Sequence, residues 1–158
     1  RWDAEGTFTT LSGWADWTRD LGDEFSLRLS MVSQLSSDPL LIGEEMGLGG
    51  TGFLRAYDWS ERSGDEGVAG LAELRYALDR PLGLFRRAQL YAFADGGKVM
   101  NHGGGFGSGS LASAGGGIRA DVTRSFGANL ELAVPLTGVR YDTNDETPKI
   151  NFRLLKSF

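Results

Sequence analysis

Three short stretches carry residues whose types and spacing could do chemistry. Gly47, Gly49 and Gly52 in "GLGGTG" spell G-x-G-x-x-G, the spacing of a dinucleotide-binding loop. That mechanism requires a strand before the glycines, a helix after them and an acidic residue about 20 positions on. His102 with Gly103 to Gly105 resembles the oxyanion loop of some esterases. Asp142, Asp145 and Glu146 in "YDTNDETPK" offer oxygen ligands to a calcium ion. Each fails on its surroundings. The stretch after Gly52, "FLRAYDWSERSGDEG", has no helical period and many breakers. Glu73 stands at a suitable distance, but within a strand pattern reached without a helix. No G-x-S-x-G surrounds Ser108 or Ser110, and His102 would be the only base. The acidic stretch lacks the glycine and the spacing of a calcium-binding loop, and reads as a solvated loop.

Composition removes further classes. The 158 residues include no cysteine and one histidine, which excludes disulfides, thiolate metal sites and His-rich metal sites. A net charge of −5 and a pI of about 4.9 argue against a nucleic-acid surface. No cofactor and no enzyme activity are expected. No apolar run reaches the ~18 residues of a membrane helix, although a membrane-spanning strand needs only about 10 alternating residues.

The elements that would position any site are strands. In "SFGANLELAVPL", Phe126, Ala128, Leu130, Leu132, Val134 and Leu136 share one face, and Asn129 and Glu131 the other. Ala72, Leu74, Tyr76 and Leu78 oppose Glu73 and Arg75. Ala88, Leu90, Ala92 and Ala94 oppose Gln89, Tyr91, Phe93 and Asp95. Ala114, Ile118, Ala120 and Val122 oppose Arg119 and Asp121. Phe25, Leu27, Leu29 and Met31 oppose Arg28, Ser30 and Gln34. Ile150, Phe152, Leu154 and Phe158 oppose Asn151 and Arg153. "TFTTLSGWADWTRDL" adds a strand of undetermined face. About seven strands and no helix are predicted, as one domain over residues 1–158.

The connections alternate in length. Those at 21–23, 79–85 and 123–124 are short, and those at 36–66, 98–110 and 138–148 are long. Short turns at one end and long loops at the other are the habit of outer-membrane barrels. Charges of both signs at mid-strand and an apolar face rich in alanine fit a lumen and a lipid surface. A tightly packed soluble core would call for larger branched residues. The fold expected is an all-β, antiparallel up-and-down barrel meander. Trp14, Trp17, Trp59, Tyr57 and Tyr76 are candidates for an interface belt or for core packing.

The glycine-rich stretch then has another reading, as a long loop that folds inward and lets one arginine reach a fixed partner. "MGLGGTGFLRAYD", "AELRYAL", "LYAFADGGKV", "LASAGGGIRADV" and the terminal "RLLKSF" resemble, in collinear order, the C-terminal half of TpsB transporters. These are the haemolysin or adhesin secretion and activation proteins of two-partner secretion, relatives of the BamA insertases. The family's loop signature, V-R-G-[FY], reads here Leu54-Arg55-Ala56-Tyr57, preceded by Gly49 and Gly50. Valine is replaced by leucine, and glycine by alanine, which tolerates positive φ less well. The strand signature, F-x-D-x-G, is matched by Phe93, Asp95 and Gly97.

The resemblance implies a portion of a sixteen-stranded outer-membrane barrel whose loop 36–66 folds into the lumen. It implies a latch in which Arg55 pairs bidentately with Asp95. It implies an outer-membrane location and three kinds of partner: a large secreted exoprotein, the barrel-assembly machinery and outer-membrane lipid. Phe152, Leu154 and Phe158 resemble the terminal strand read by that machinery. About seven strands alone would expose edges, so self-association of this portion is expected. Another BamA-like barrel (an insertase or a patatin-type autotransporter) and a soluble β-barrel binding module stay open as alternatives.

Overall fold

The computed structural model describes residues 1–4, 6–79 and 85–157. Strands β1 (Thr10–Asp20), β2 (Phe25–Ser36), β3 (Met46–Leu48), β4 (Arg62–Gly64), β5 (Glu66–Asp79), β6 (Arg87–Met100), β7 (Gly109–Asp121), β8 (Phe126–Pro135) and β9 (Lys149–Lys156) follow in order, with one 3-10 turn at Ile42–Glu44. Among the described residues there is no α-helix. Seven strands form one sheet in the order β1-β2-β5-β6-β7-β8-β9, and every neighbouring pair is antiparallel. This is the meander that the period-2 patterns predict. β3 and β4 pair separately, inside the connection from β2 to β5.

Turns 21–24 and 122–125 lie at one end of the strands, and connections 37–65, 101–108 and 136–148 at the other. The second long connection is shorter than expected, because β6 runs on to Met100 and β7 starts at Gly109. The short connection before Phe85 falls largely outside the described residues.

Alternation divides the sheet into two faces. Leu74, Leu90, Leu130 and Leu132 stand exposed on one of them. On the other lie Arg28, Glu73, Phe93, Asp95, Arg119 and Glu131. The strand of undetermined face resolves through its register: Trp14 and Asp16 oppose Val32 and Ser30, on the polar face, and Trp17 lies on the apolar one.

The polar face is not polar throughout. Near the long connections it carries Ala69, Leu71, Val99, Leu111 and Ala133, which pack with Met46, Leu48, Leu54, Ala56 and Tyr57 of the first long connection. The hydrophobic core of this chain is therefore the contact between that inward-folded loop and the sheet. Gly97 makes room for it: a Cβ there would lie 2.8 Å from the Leu48 side chain.

Candidate functional site

The site is built by the loop at 37–65 and the wall of strands beneath it. Its neck needs glycine. Gly49 and Gly50 have φ of 110° and 108°, and a Cβ on Gly49 would sit 2.0 Å from the Asp58 carbonyl oxygen. The tip is a turn closed by the Tyr57 amide donating to the Leu54 carbonyl at 3.0 Å. Positive φ falls on Leu54, at 58°, and not on Ala56. The alanine in place of the family's glycine thus sits at a position whose backbone accepts a side chain. Leu54, Ala56 and Tyr57 are completely buried.

Arg55 projects from this tip onto the wall and is 5% exposed. Its Nη2 donates to Glu73 Oε2 at 2.7 Å and its Nη1 to Glu131 Oε2 at 2.7 Å. The guanidinium carbon lies 4.1 Å from the centre of the Phe93 ring, a cation–π contact. Asp95 is not the bidentate partner expected for Arg55. It accepts the Arg55 main-chain amide at 3.3 Å, and its nearest approach to the guanidinium is 3.9 Å, to Nε, which has no hydrogen-bond partner. Register explains the difference. Asp95 pairs across from Leu71 and Ser113, one step nearer the loop than the Glu73–Phe93 pair, and so meets the main chain of the tip. Its other oxygen accepts the Ser113 hydroxyl.

The carboxylates facing Arg55 have further donors of their own. Glu73 accepts Arg75 Nε at 2.7 Å and the Arg119 fork at 2.9 and 3.0 Å. Glu131 accepts the Tyr91 hydroxyl at 2.9 Å and Asn151 at 3.3 Å. Arg119 stacks on the Tyr91 ring, 3.8 Å from its centre. Gly115 lets the Phe93 ring lie flat across β7, since a Cβ there would be 2.8 Å from the ring and 2.1 Å from the Leu132 carbonyl oxygen. Beside the tip is a cavity of about 610 Å³, with Arg28, Arg55, Arg119, Glu131 and Arg153 among its lining. The arrangement holds a loop by charge.

The neighbouring loops hold the rest. The Tyr57 hydroxyl bonds to the main chain of Thr137 and, at 3.3 Å, to the Ala112 carbonyl. Buried Tyr57 is thus a packing residue and not part of an interface belt. At the loop's base, Asp65 accepts the Leu40 and His102 amides at 2.7 Å each and Arg1 Nη1 at 2.8 Å. Burial favours its neutral form, but these donors prevail and hold its carboxyl below the usual carboxylate range. His102, considered above as a base, contributes its main chain here. Phe152 and Leu154 stand exposed on the apolar side of β9; Phe158 lies outside the described residues.

The sequence singled out Arg55 and Asp95, and placed Glu73 and Glu131 on the polar face without joining them to Arg55. Across the sheet Glu73 lies level with Phe93, Gly115 and Ala133, and Glu131 one same-face step further from the loop, so joining them needs the pairing register. Tyr91, Ser113 and Arg140 gave no signal.

Comparison with known proteins adds an independent line. A family profile described as "Haemolysin secretion/activation protein ShlB/FhaC/HecB" matches residues 2–120. Comparison with curated proteins gives no match. The fold is similar to that of CdiB from Escherichia coli, with a TM-score of 0.81 at 23% identity over 96% of this chain and 28% of that one. It is similar also to CdiB from Acinetobacter baumannii, with a TM-score of 0.68 at 21% identity over 96% of this chain and 27% of that one. The chain thus spans little more than a quarter of either structure.

Proposed function

The chain belongs to the haemolysin secretion/activation protein family, and on that premise we propose that it is part of an outer-membrane pore exporting a large partner exoprotein, a haemolysin or adhesin. The observation that carries this reading is the inward loop. A sheet with an apolar outer face has a loop seated on its inner face by one arginine shared between two strands. A sheet that only bound a soluble ligand would have no use for an apolar face of this extent. In a bilayer that face meets lipid, and the loop occupies the lumen. Strands β1 and β9, which end the sheet, would pair with the remaining strands of the barrel, and β9, with Phe152 and Leu154, would present the strand that the assembly machinery takes.

The direct test is secretion. Cells that make the full-length protein together with the exoprotein encoded beside it should release that exoprotein into the medium, and cells without the transporter should retain it. Retention in both, with the transporter folded in the outer membrane, would defeat the reading.

The membrane orientation has its own measurement. Spin labels placed singly along β8 of the full-length protein in a bilayer should report lipid at Leu130, Leu132 and Val134, and water at Asn129 and Glu131. Uniform accessibility along the strand would reject it.

A further inference from the structure

The tip of the inward loop is gripped from a second side. The connection 136–148 folds around Arg140, which is 6% exposed. The Arg140 amide donates to the Asp145 carbonyl at 3.0 Å, and the Asn144 amide to the Arg140 carbonyl at 2.8 Å. Its Nη2 is fixed by the Asp145 carboxylate at 2.7 Å and by the Thr147 carbonyl and hydroxyl at 2.6 and 3.0 Å. Its Nη1 is left to donate to the Ala56 carbonyl at 3.1 Å. The same connection meets the loop again where Thr137 bonds to the Tyr57 hydroxyl and the Tyr141 amide to the Glu61 carboxylate.

We propose that residues 136–148 form a second, outer clasp on the inward loop, with Arg140 as its positioning residue, so that the tip leaves the wall only when this clasp opens too. The two grips read different parts of the tip. The wall reads the Arg55 side chain and amide; the clasp reads the Ala56 carbonyl, whatever the side chain at that position, and the Tyr57 and Glu61 side chains. Both receptor surfaces stay satisfied when empty. Glu73 keeps Arg75 and Arg119, Glu131 keeps Tyr91 and Asn151, and Arg140 keeps Asp145 and Thr147. Withdrawal of the tip thus leaves Glu73 with its arginines and Arg140 with its carboxylate, while Glu131 and Asp95 lose their cation but keep neutral donors, so the contact can reopen without an unsatisfied group on either surface. The clasp also differs from the wall in access. Tyr141 and Val139 beside it are 85% and 43% exposed, whereas Glu73 is fully buried. Contact at that rim can shift the position of the loop without entering the lumen.

This inference rests on the reading of the loop as an occupant of the lumen, and the experiment separates the two. The full-length transporter is placed in liposomes with the single substitution Ala56→Cys, and its reaction with a bulky water-soluble maleimide is timed. The parent should react slowly. Arg140→Ala should speed labelling on the order of tenfold, as expected for loss of one charge-assisted hydrogen bond. Asp145→Asn, which loosens Arg140 without touching the tip, should speed it by a smaller factor. Arg55→Ala should speed it as well. A wild-type rate in Arg140→Ala, with acceleration in Arg55→Ala, would overturn the clasp and leave the lumen reading standing. Fast labelling of the parent would overturn both. Where Arg140→Ala fails to assemble, an unchanged rate in Asp145→Asn overturns the clasp.

Discussion

Glu73→Ala is expected to destabilise the assembled protein more than any other single change on the polar wall. Glu73 is fully buried and accepts hydrogen bonds from three arginines, Arg55, Arg75 and Arg119. With it gone, three guanidinium groups crowd a space in which Glu131 and Asp95 are the carboxylates left. Breaking a buried ion pair by removing one partner costs about 3–5 kcal/mol, because the other charge stays behind uncompensated. Glu131→Gln should cost clearly less, since the amide oxygen still takes the Tyr91 hydroxyl, and one guanidinium rather than three loses a carboxylate. Urea unfolding of the full-length protein in lipid measures both. A loss under about 1 kcal/mol for Glu73→Ala would mean that water solvates the arginines as well as the carboxylate does.

The contrast between Glu73 and Asp95 shows what the sequence carried and what it did not. Strands of the large sheet were legible where they alternate polar and apolar residues over eight or more positions, since a one-residue slip would exchange the two faces; β1 did not declare its face, and β3 and β4 are too short to show a period. The inward loop was legible as a loop and, through its likeness to a known signature, as the bearer of Arg55. The partner of Arg55 was not. It depends on how far each strand is shifted against its neighbour, and pairing register is a property of turns and bulges that no single strand states. Asp95 stands within one step of the predicted place, yet that step moves it from the guanidinium to the tip's main chain. The apolar upper part of the polar face was missed for a related reason. Ala69, Leu71, Val99 and Leu111 fall on the polar phase of their strands, and only the loop that covers them makes apolar residues suitable there.

Arg55→Ala is the second large effect, and its coupling to the wall distinguishes the observed geometry from the simple Arg55–Asp95 pair. The substitution takes one donor from Glu73 Oε2 and one from Glu131 Oε2, which keep Arg119 and the Tyr91 hydroxyl, and removes the cation from the Phe93 ring. Docking of the loop should weaken by about 2–4 kcal/mol: Arg75 and Arg119 continue to serve Glu73, which keeps the loss below that of a fully stranded charge. Secretion of the partner should fall, and ion leakage through the pore should rise. The Arg55–Glu131 double mutant should then be less than additive by about 0.5–3 kcal/mol, the range for side chains in direct contact. For Arg55 and Asp95 a smaller coupling is expected, that of a buried ion pair with no hydrogen bond between the side chains. The guanidinium is no closer than 3.9 Å to Asp95, and the amide that Asp95 accepts survives in alanine. A strong coupling to Asp95, with none to Glu131, would place the guanidinium on β6 and refute the arrangement that spans β5 and β8.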